Sequence, residues 1–223
     1  MIEPTGLEWL EVKSTLPSVP YSQDTHEVRT QRLLLRKFRI DDLEPLFELR
    51  SHPDVAAWTP SGKPETDIEQ TKKVLAAWID GQNDKNLKFA ICLASTGEFI
   101  GQGGVHSRQG QLGWPELGYA IRKEHWGKGY ATEFVKAFLD LWWRLPRVES
   151  NFRVDARTLS PGCEDGQVAN ECIVAITVDE NKGSRGVLVK SGMELTKIWR
   201  VEDMRDETQM VDLLCYVMTG RKS

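Results

Sequence analysis

The chain has 223 residues, with 29 lysines and arginines against 33 aspartates and glutamates, a formal charge of −4. Charges of both signs are interspersed, so no basic face argues for a nucleic-acid partner, and no apolar run reaches the roughly 18 residues that span a bilayer. The first residues lack a basic stretch leading into an apolar one, so no secretory leader is expected. The four cysteines show no metal-ligand spacing, and three of them lie in apolar, strand-like surroundings. A reduced protein of the cytoplasm, without a metal, is the expectation.

Residues 1–29 mix proline, charge and scattered apolar residues, Trp9 among them, without sustained periodicity. They read as an extension ahead of one domain over 30–223. Residues 32–38 carry a buried-strand pattern. Asp41 and Asp42 then cap a helix bearing Leu43, Leu46, Phe47 and Leu49, which Ser51-His52-Pro53 ends. After a loop with Pro60, Gly62 and Pro64, Thr66 or Asp67 starts a second helix with Val74, Leu75, Trp78 and Ile79 on one side. Trp58 in that loop reads first as an aromatic packed under the loop and second as a pocket wall.

Three strands follow at 87–94, 99–106 and 117–121. Gly101, Gly103 and Gly104 dilute the second and point to close backbone approach or a bulge. His106 near its end shows no partner in the sequence; a surface or satisfied histidine is preferred to a general base, and His125 is given a structural role.

The stretch 116–144 organises the rest. From Tyr130 the apolar residues Ala131, Phe134, Val135, Phe138, Leu141, Trp142 and Leu145 recur at helical spacing, with Glu133, Lys136, Asp140 and Arg144 on the opposite stripe. A strand passing through Gly127-Lys128-Gly129 into a helix N-terminus is a ready anion site. Main-chain N–H groups point outward, and glycine lets a phosphate come close. Taken alone, an isolated G-x-G is better read as a plain strand-to-helix turn. Neither the Walker spacing nor G-x-G-x-x-G is present, which disfavours an unrelated nucleotide-binding domain.

Pro146 stops the helix. Residues 147–156 look strand-like, conceivably one arm of a hairpin, and 157–170 read as an exposed, mobile excursion rich in turn formers. A strand at 172–178 leads to Asn181, which caps a short helix ending at Gly192. Two antiparallel strands close the chain at 195–201 and 209–219. The order predicts an α/β (α+β) sandwich with a mixed sheet.

Two blocks carry a family resemblance. Trp126-Gly-Lys-Gly-Tyr-Ala-Thr-Glu133 and Asn181-Lys-Gly-Ser-Arg-Gly-Val-Leu-Val-Lys-Ser-Gly-Met193 together resemble the GNAT superfamily of acetyl-CoA-dependent N-acetyltransferases. The nearest subgroup is the ribosomal-protein-alanine acetyltransferase type, whose members commonly show W-G-K-G-Y-A-T-E and N-x-x-S-x-x-V-L-x-K-x-G-F. The resemblance covers residues 32–219 and implies a mostly antiparallel central sheet flanked by helices, with an insertion around 147–170. It also implies acetyl-CoA as co-substrate and an amine acceptor, either a protein N-terminus or a small molecule such as a polyamine. Neither nucleic acid nor membrane is implied as a partner, and the oligomeric state is left open.

The resemblance assigns roles by position. The turn residues Trp126, Gly127, Lys128, Gly129, Tyr130, Ala131 and Thr132 hold the pyrophosphate. Tyr119, Ala120, Ile121 and Arg122 run beside the pantetheine and acetyl group. Asn181 bonds the pantetheine arm, alongside its plain role as a helix cap. Ser184 donates a proton to the departing thiolate, or is simply structural. Separately from the resemblance, Glu116, opening the strand beside the acetyl site, is the candidate base, acting directly or through water, weighed evenly against an exposed strand-end carboxylate.

The chain also departs from the pattern. Glu124 stands where many members carry Gln or Arg and is expected to face solvent, leaving Arg122, Lys123 and Lys128 to supply positive charge. Gly186 replaces a family arginine and Met193 a final phenylalanine. Direct transfer without an acetyl-cysteine is expected, and a catalytically silent CoA-binding sensor or scaffold is the alternative.

Overall fold

Alternation along the strands decides this architecture, because successive side chains of a strand face opposite sides of a sheet. The computed structural model describes residues 8–18, 27–79 and 87–220. The chain runs β1 (Trp9–Pro17), β2 (Glu27–Arg29), β3 (Leu33–Arg36), α1 (Leu43–Ser51), α2 (Pro53–Ala56) and α3 (Ile68–Ile79). It continues with β4 (Lys88–Leu93), β5 (Phe99–Ser107), β6 (Glu116–Ile121), α4 (Tyr130–Arg144) and β7 (Arg147–Asp155), then β8 (Cys172–Val178), α5 (Lys182–Lys190), β9 (Glu194–Asp203) and β10 (Asp206–Thr219). Eight strands form one sheet in the order β2-β3-β4-β5-β6-β8-β10-β9, antiparallel except where β6 meets β8. The mixed, mostly antiparallel sheet flanked by helices is the one expected.

One face is a continuous core. Leu33 and Leu35 of β3, Phe89 and Ile91 of β4, Ile173 and Ala175 of β8, and Leu214 and Tyr216 of β10 meet Phe134, Phe138 and Trp142 of α4 and Leu188 of α5. Those α4 residues lie four apart, so they stack on one stripe of the helix. Fully burying each large apolar side chain is worth about 1.5–3 kcal/mol. Gly103 is required here: a Cβ on it would sit 2.4 Å from the Phe134 ring.

The opposite face carries two covers. Ala90 and Cys92 of β4 pack under Leu46 and Leu49 of α1 and Leu75 of α3. Farther along, Val174 of β8 and Cys215 and Val217 of β10 pack under Val12 and Leu16 of β1 and Phe152 and Val154 of β7. Strands β1 and β7 form a separate antiparallel ribbon, paired from Trp9↔Asp155 to Pro17↔Arg147. The lack of periodicity read in residues 1–29 is therefore corrected for 9–17. Leu10, Val12, Ser14 and Leu16 alternate, but Ser14 breaks the apolar pattern; buried, it donates to the Ala169 carbonyl at 3.0 Å. The rest of that stretch lies largely outside the described residues.

Two buried carboxylates pin the ribbon. At one end Glu171 accepts from Thr15 Oγ1 at 2.8 Å, Arg147 Nε at 2.7 Å and Trp142 Nε1 at 3.0 Å. Burial raises its pKa, and these partners only partly offset that. At the other end Asp155 pairs with Lys197 of β9, both side chains out of solvent. Residues 157–170 are largely exposed, as expected, but they do not stand apart from the fold. Gly166 N donates to Glu11 O at 2.7 Å, Lys13 N to Gln167 O at 2.9 Å and Ala169 N to Lys13 O at 2.9 Å, so much of this exposed segment is stitched to the free edge of β1.

Candidate active site

Strands β6 and β8 run parallel but pair only at Glu116↔Val174, where Val174 N donates to Pro115 O at 2.9 Å. Beyond that point the halves of the sheet part, and a cleft of about 2330 Å³ passes between them. Residues of both faces line it, Tyr119 and Leu188 from one side and His106 and Glu116 from the other. The cleft thus threads the sheet.

At one mouth lies the glycine turn. Trp126 anchors it, its indole N–H donating to Ile121 O at 2.6 Å. Gly127 and Gly129 take φ of 72° and 81°, the left-handed region that favours glycine. A Cβ on Gly127 would meet nothing within 4 Å, so the space before the turn is open. Gly129 is the N-cap of α4 and offers no side chain to the first N–H groups, whose helical bonding begins at Glu133 N→Gly129 O, 3.1 Å. Unspent donors at a helix N-terminus suit an anion.

Gly127, Gly129, Tyr130, Ala131, Thr132 and Trp126 line the cleft, as do Tyr119, Ala120 and Ile121; Arg122 and Lys128 do not. Arg122 bonds Glu48 at 2.5 Å and Glu124 at 2.8 Å on the outer side of the turn, so its charge is spent there. Glu124 is half-exposed in that pair, away from the turn's donors. Lys123 pairs with Asp54 at 3.0 Å and lies over the Trp126 ring. A cation that sequence reading did not single out, Arg32, also stands at this turn. It donates to Lys128 O at 2.9 Å, lies over the Tyr130 ring, and is steered by Glu133 at 2.7 Å. Burial works against the Glu133 charge, but hydrogen bonds from Thr30 and Arg32 outweigh it and hold the carboxyl below its ordinary range.

Between the mouths lie hydroxyl, carboxylate and imidazole groups, the chemistry that can carry protons. Tyr119 OH is 2.9 Å from Ser184 Oγ, and burial pushes the phenol up to about 12 against that hydrogen bond, so it stays protonated. Asn181 Oδ1 accepts from Ser184 N at 3.0 Å, which makes the asparagine the helix cap and fixes the serine. Glu116, at the last paired rung of β6 and β8, accepts from Gln111 N at 3.2 Å, and His106 Nε2 lies 3.3 Å from its Oε1. His106, partly exposed and partnered, matches the surface or satisfied histidine preferred from the sequence, and its partner is one the sequence did not show. It packs over Gly118, where a Cβ would stand 3.0 Å from its ring nitrogen. His125 does keep a structural place, buried with Nε2 3.2 Å from Glu98.

The profile of the "Acetyltransferase (GNAT) domain" family matches residues 32–194. The chain belongs to the GNAT acetyltransferase family. It is 32% identical over 115 residues to "Uncharacterized N-acetyltransferase p20" of Bacillus licheniformis, a match spanning 50% of this chain and 62% of that one. It is 30% identical over 178 residues to "Uncharacterized protein YkkB" of Bacillus subtilis, covering 77% of this chain and 87% of the other. Among solved structures, a GNAT-family acetyltransferase from Bacillus anthracis superposes with a TM-score of 0.63 at 22% identity, over 86% of this chain and 98% of its own.

Within this GNAT domain the far mouth of the cleft, on the ribbon side of the sheet, is built from scattered side chains. Trp58, 42% exposed, lines it rather than packing under its loop. Trp9 and Arg153 of the ribbon stand opposite, the guanidinium 5.1 Å from the ring centroid. Lys88 and Gln102 form part of the floor. No short motif marks any of these. Among the described residues no cluster of three or more His, Cys, Asp or Glu is placed to hold a metal, and no helix is long and apolar enough to cross a membrane.

Proposed function

We propose that this GNAT domain moves the acetyl group of acetyl-CoA directly to a primary amine, the glycine turn holding the donor and the far mouth admitting the acceptor. The observation that carries this is Glu116. It sits at the apex where β6 and β8 cease to pair, inside the cleft that begins at the glycine turn, with both carboxylate oxygens engaged by His106 and Gln111. Acetyl-CoA supplies an activated thioester, so the protein need only place an amine, take a proton and return one.

The N–H groups of 127–131 bind pyrophosphate. Glu116, oriented by His106, takes the proton lost by the attacking nitrogen as the new C–N bond forms. The C–S bond breaks, and Tyr119, coupled to Ser184, protonates the leaving thiolate. The buried thiols of Cys172 and Cys215, both pushed to about 12 by burial, support a route without an acetyl-cysteine. Acceptors open to this chemistry are peptide N-termini and small amines.

Gly129→Asp tests the donor half. It puts a negative side chain where a phosphate must approach and a Cβ on a left-handed residue, and calorimetry should show acetyl-CoA affinity lowered by 10²-fold or more, on the order of a lost charge-assisted contact plus repulsion. Unchanged affinity in the folded variant would remove the turn from the site. Acetyl-CoA binding without transfer to any amine in a broad panel would instead favour a silent binding protein.

A further inference from the structure

Beyond the rung that joins Glu116 to Val174, register tells which side chains of the two parted halves face the ribbon, α1 and α3. On the first half Ala120 pairs with Gln102, Gly118 with Gly104, and Gly104 with Lys88. This wall therefore offers Gln102, Lys88 and, over Gly118, His106 with Glu116. Its groups are polar or small. On the second half Ile176 and Val178 of β8 continue the row from Val174, Leu213 of β10 pairs with Val178, and Val211 pairs with Val201 of β9. All five are apolar, and all five line the cleft.

Their neighbours on this face, Val174, Trp199, Cys215 and Val217, are buried with the ribbon core. Ile176, Val178, Val201 and Leu213 are only half-buried. An apolar wall left part-covered inside a cleft, across from polar groups that can act on an amine, is suited to the carbon skeleton of a ligand. Trp58, 42% exposed, adds an aromatic from the loop after α2. Beside it Ala57 O accepts from Arg205 of the β9–β10 turn at 3.5 Å, and the Arg205 stem packs on Gly62, where a Cβ would stand 2.7 Å from its Cγ. The Arg205 guanidinium is paired with Asp203 at 2.6 Å and Glu180 at 3.3 Å. This contact closes the slot near the end of β8. At about 3.3 Å per residue, Ile176 and Val178 stand about 7 and 13 Å beyond the rung that holds Glu116.

We infer that the acceptor is a small primary amine with an apolar alkyl or arylalkyl body. The amine is presented to Glu116 on the polar wall while the body lies along Ile176, Val178, Val201 and Leu213. This rests on the acetyltransferase reading of the same cleft and narrows its acceptor class. A polyamine would lay a second ammonium on an apolar wall, and a peptide continuing along the slot would meet the Arg205 contact.

The test supplies acetyl-CoA with straight-chain amines from methylamine to heptylamine, 2-phenylethylamine, an ether isostere of hexylamine, spermidine, and a tetrapeptide beginning with leucine. Wild-type kcat/KM should rise about 2- to 4-fold per added methylene, the range for burying a CH2 partly or fully. The rise should level off once the chain outruns the wall. The ether, spermidine and the peptide should fall about 10-fold or more below hexylamine. Val178→Thr combined with Val201→Thr keeps strand preference but places hydroxyls on the wall. It should flatten the rise and lower kcat/KM for hexylamine by about 10-fold. Acetyl-CoA affinity, read by calorimetry, and the pH dependence of the rate should not move with it. Trp58→Ala, at an exposed loop position, should lower the rate on 2-phenylethylamine more than that on hexylamine, and it carries the test if the strand variant does not fold.

A flat series, a preference for the ether, spermidine or the peptide, or a chain-length rise that survives in the folded strand variant would overturn the apolar acceptor. So would a 2-phenylethylamine rate untouched by Trp58→Ala. If calorimetry finds no acetyl-CoA binding, the acetyltransferase reading fails separately. The wall then stands or falls on whether 2-phenylethylamine raises the Tm of wild type but not of Trp58→Ala.

Discussion

The two mouths of the cleft are made in different ways. The proposed donor mouth is one continuous stretch, 126–132, and the groups it offers are main-chain N–H groups presented by two left-handed glycines and a helix N-terminus. The acceptor mouth draws single side chains from separate strands and loops: Trp9, Trp58, Lys88, Gln102, His106, Glu116 and Arg153. Backbone ligation tolerates any side chain that keeps the turn, so a short pattern of glycines suffices to specify it. A site of side chains exists only once register has brought the strands together, and each position can change without disturbing the others. On the proposed function, the first is a device for a constant donor, and the second is where an acceptor is chosen.

The sharpest break in that comparison comes from Glu116→Gln. The exchange keeps size and a hydrogen-bonding carbonyl but removes the base, and kcat/KM should fall by roughly 10²-fold or more. The loss should shrink as pH rises, because more of the acceptor amine is then already neutral. Acetyl-CoA affinity should not move, since the residue belongs to the other mouth. A normal rate across pH would return Glu116 to the surface role that the sequence weighed equally, and a large change in acetyl-CoA affinity would show that the two mouths are not separable.

That asymmetry also explains what could be read before the structure. The core strands, α4 and the cap at Asn181 were legible because period-two and period-3.6 patterns and capping residues are local. Strand β8 lies at 172–178 as read, and α4 begins at Tyr130. The ribbon was not legible at its first strand. Ser14 occupies an inward position by bonding to Ala169, a residue 155 positions away, and the far edge of β1 is completed by 166–169 rather than by a strand. Its anchors, Glu171 with Arg147 and Asp155 with Lys197, are charged residues that in sequence look like solvent-facing ones. The His106–Glu116 contact was hidden for another reason. A bulge between Val105 and Ser107 shifts the register just before the pair meets. Arg122 and Lys123, expected to supply positive charge at the turn, are engaged by Glu48, Glu124 and Asp54, partners that their sequence neighbourhood only partly shows.

A smaller effect sharpens the comparison within the acceptor mouth. His106 holds one oxygen of Glu116 and touches no group of the donor mouth, so it is a positioning residue. His106→Gln retains a neutral donor in a similar place and should cost about 10-fold in kcat, at the low end of what misplacing a base removes. KM for acetyl-CoA should stay constant. His106→Gln combined with Glu116→Gln should be no worse than Glu116→Gln alone, because the two act as one unit. Multiplying losses would show that His106 acts on the acceptor by a route of its own.

The smallest expected effect concerns the cysteines, and it tests whether the two mouths meet at all. Direct transfer requires donor and acceptor to occupy the cleft together, each entering from its own side; an acetyl-cysteine would let them come in turn. Cys172 and Cys215 are buried, and burial pushes both thiols to about 12, with the Glu171 carboxylate adding to the rise at Cys172 and a hydrogen bond from Thr196 opposing it at Cys215. Cys92 is raised in the same way, by burial first, with Arg36 pulling against it. None of these three is a thiolate near neutral pH, and the thiolate is the nucleophile. Cys172→Ala should therefore keep most of its turnover, losing only some packing under the ribbon. Initial rates with both substrates varied should give intersecting lines. Parallel lines, or an acetylated cysteine trapped by mass spectrometry, would mean that the two mouths act in succession on a covalent intermediate, and the pairing of a constant donor site with a variable acceptor site across one cleft would lose its mechanistic meaning.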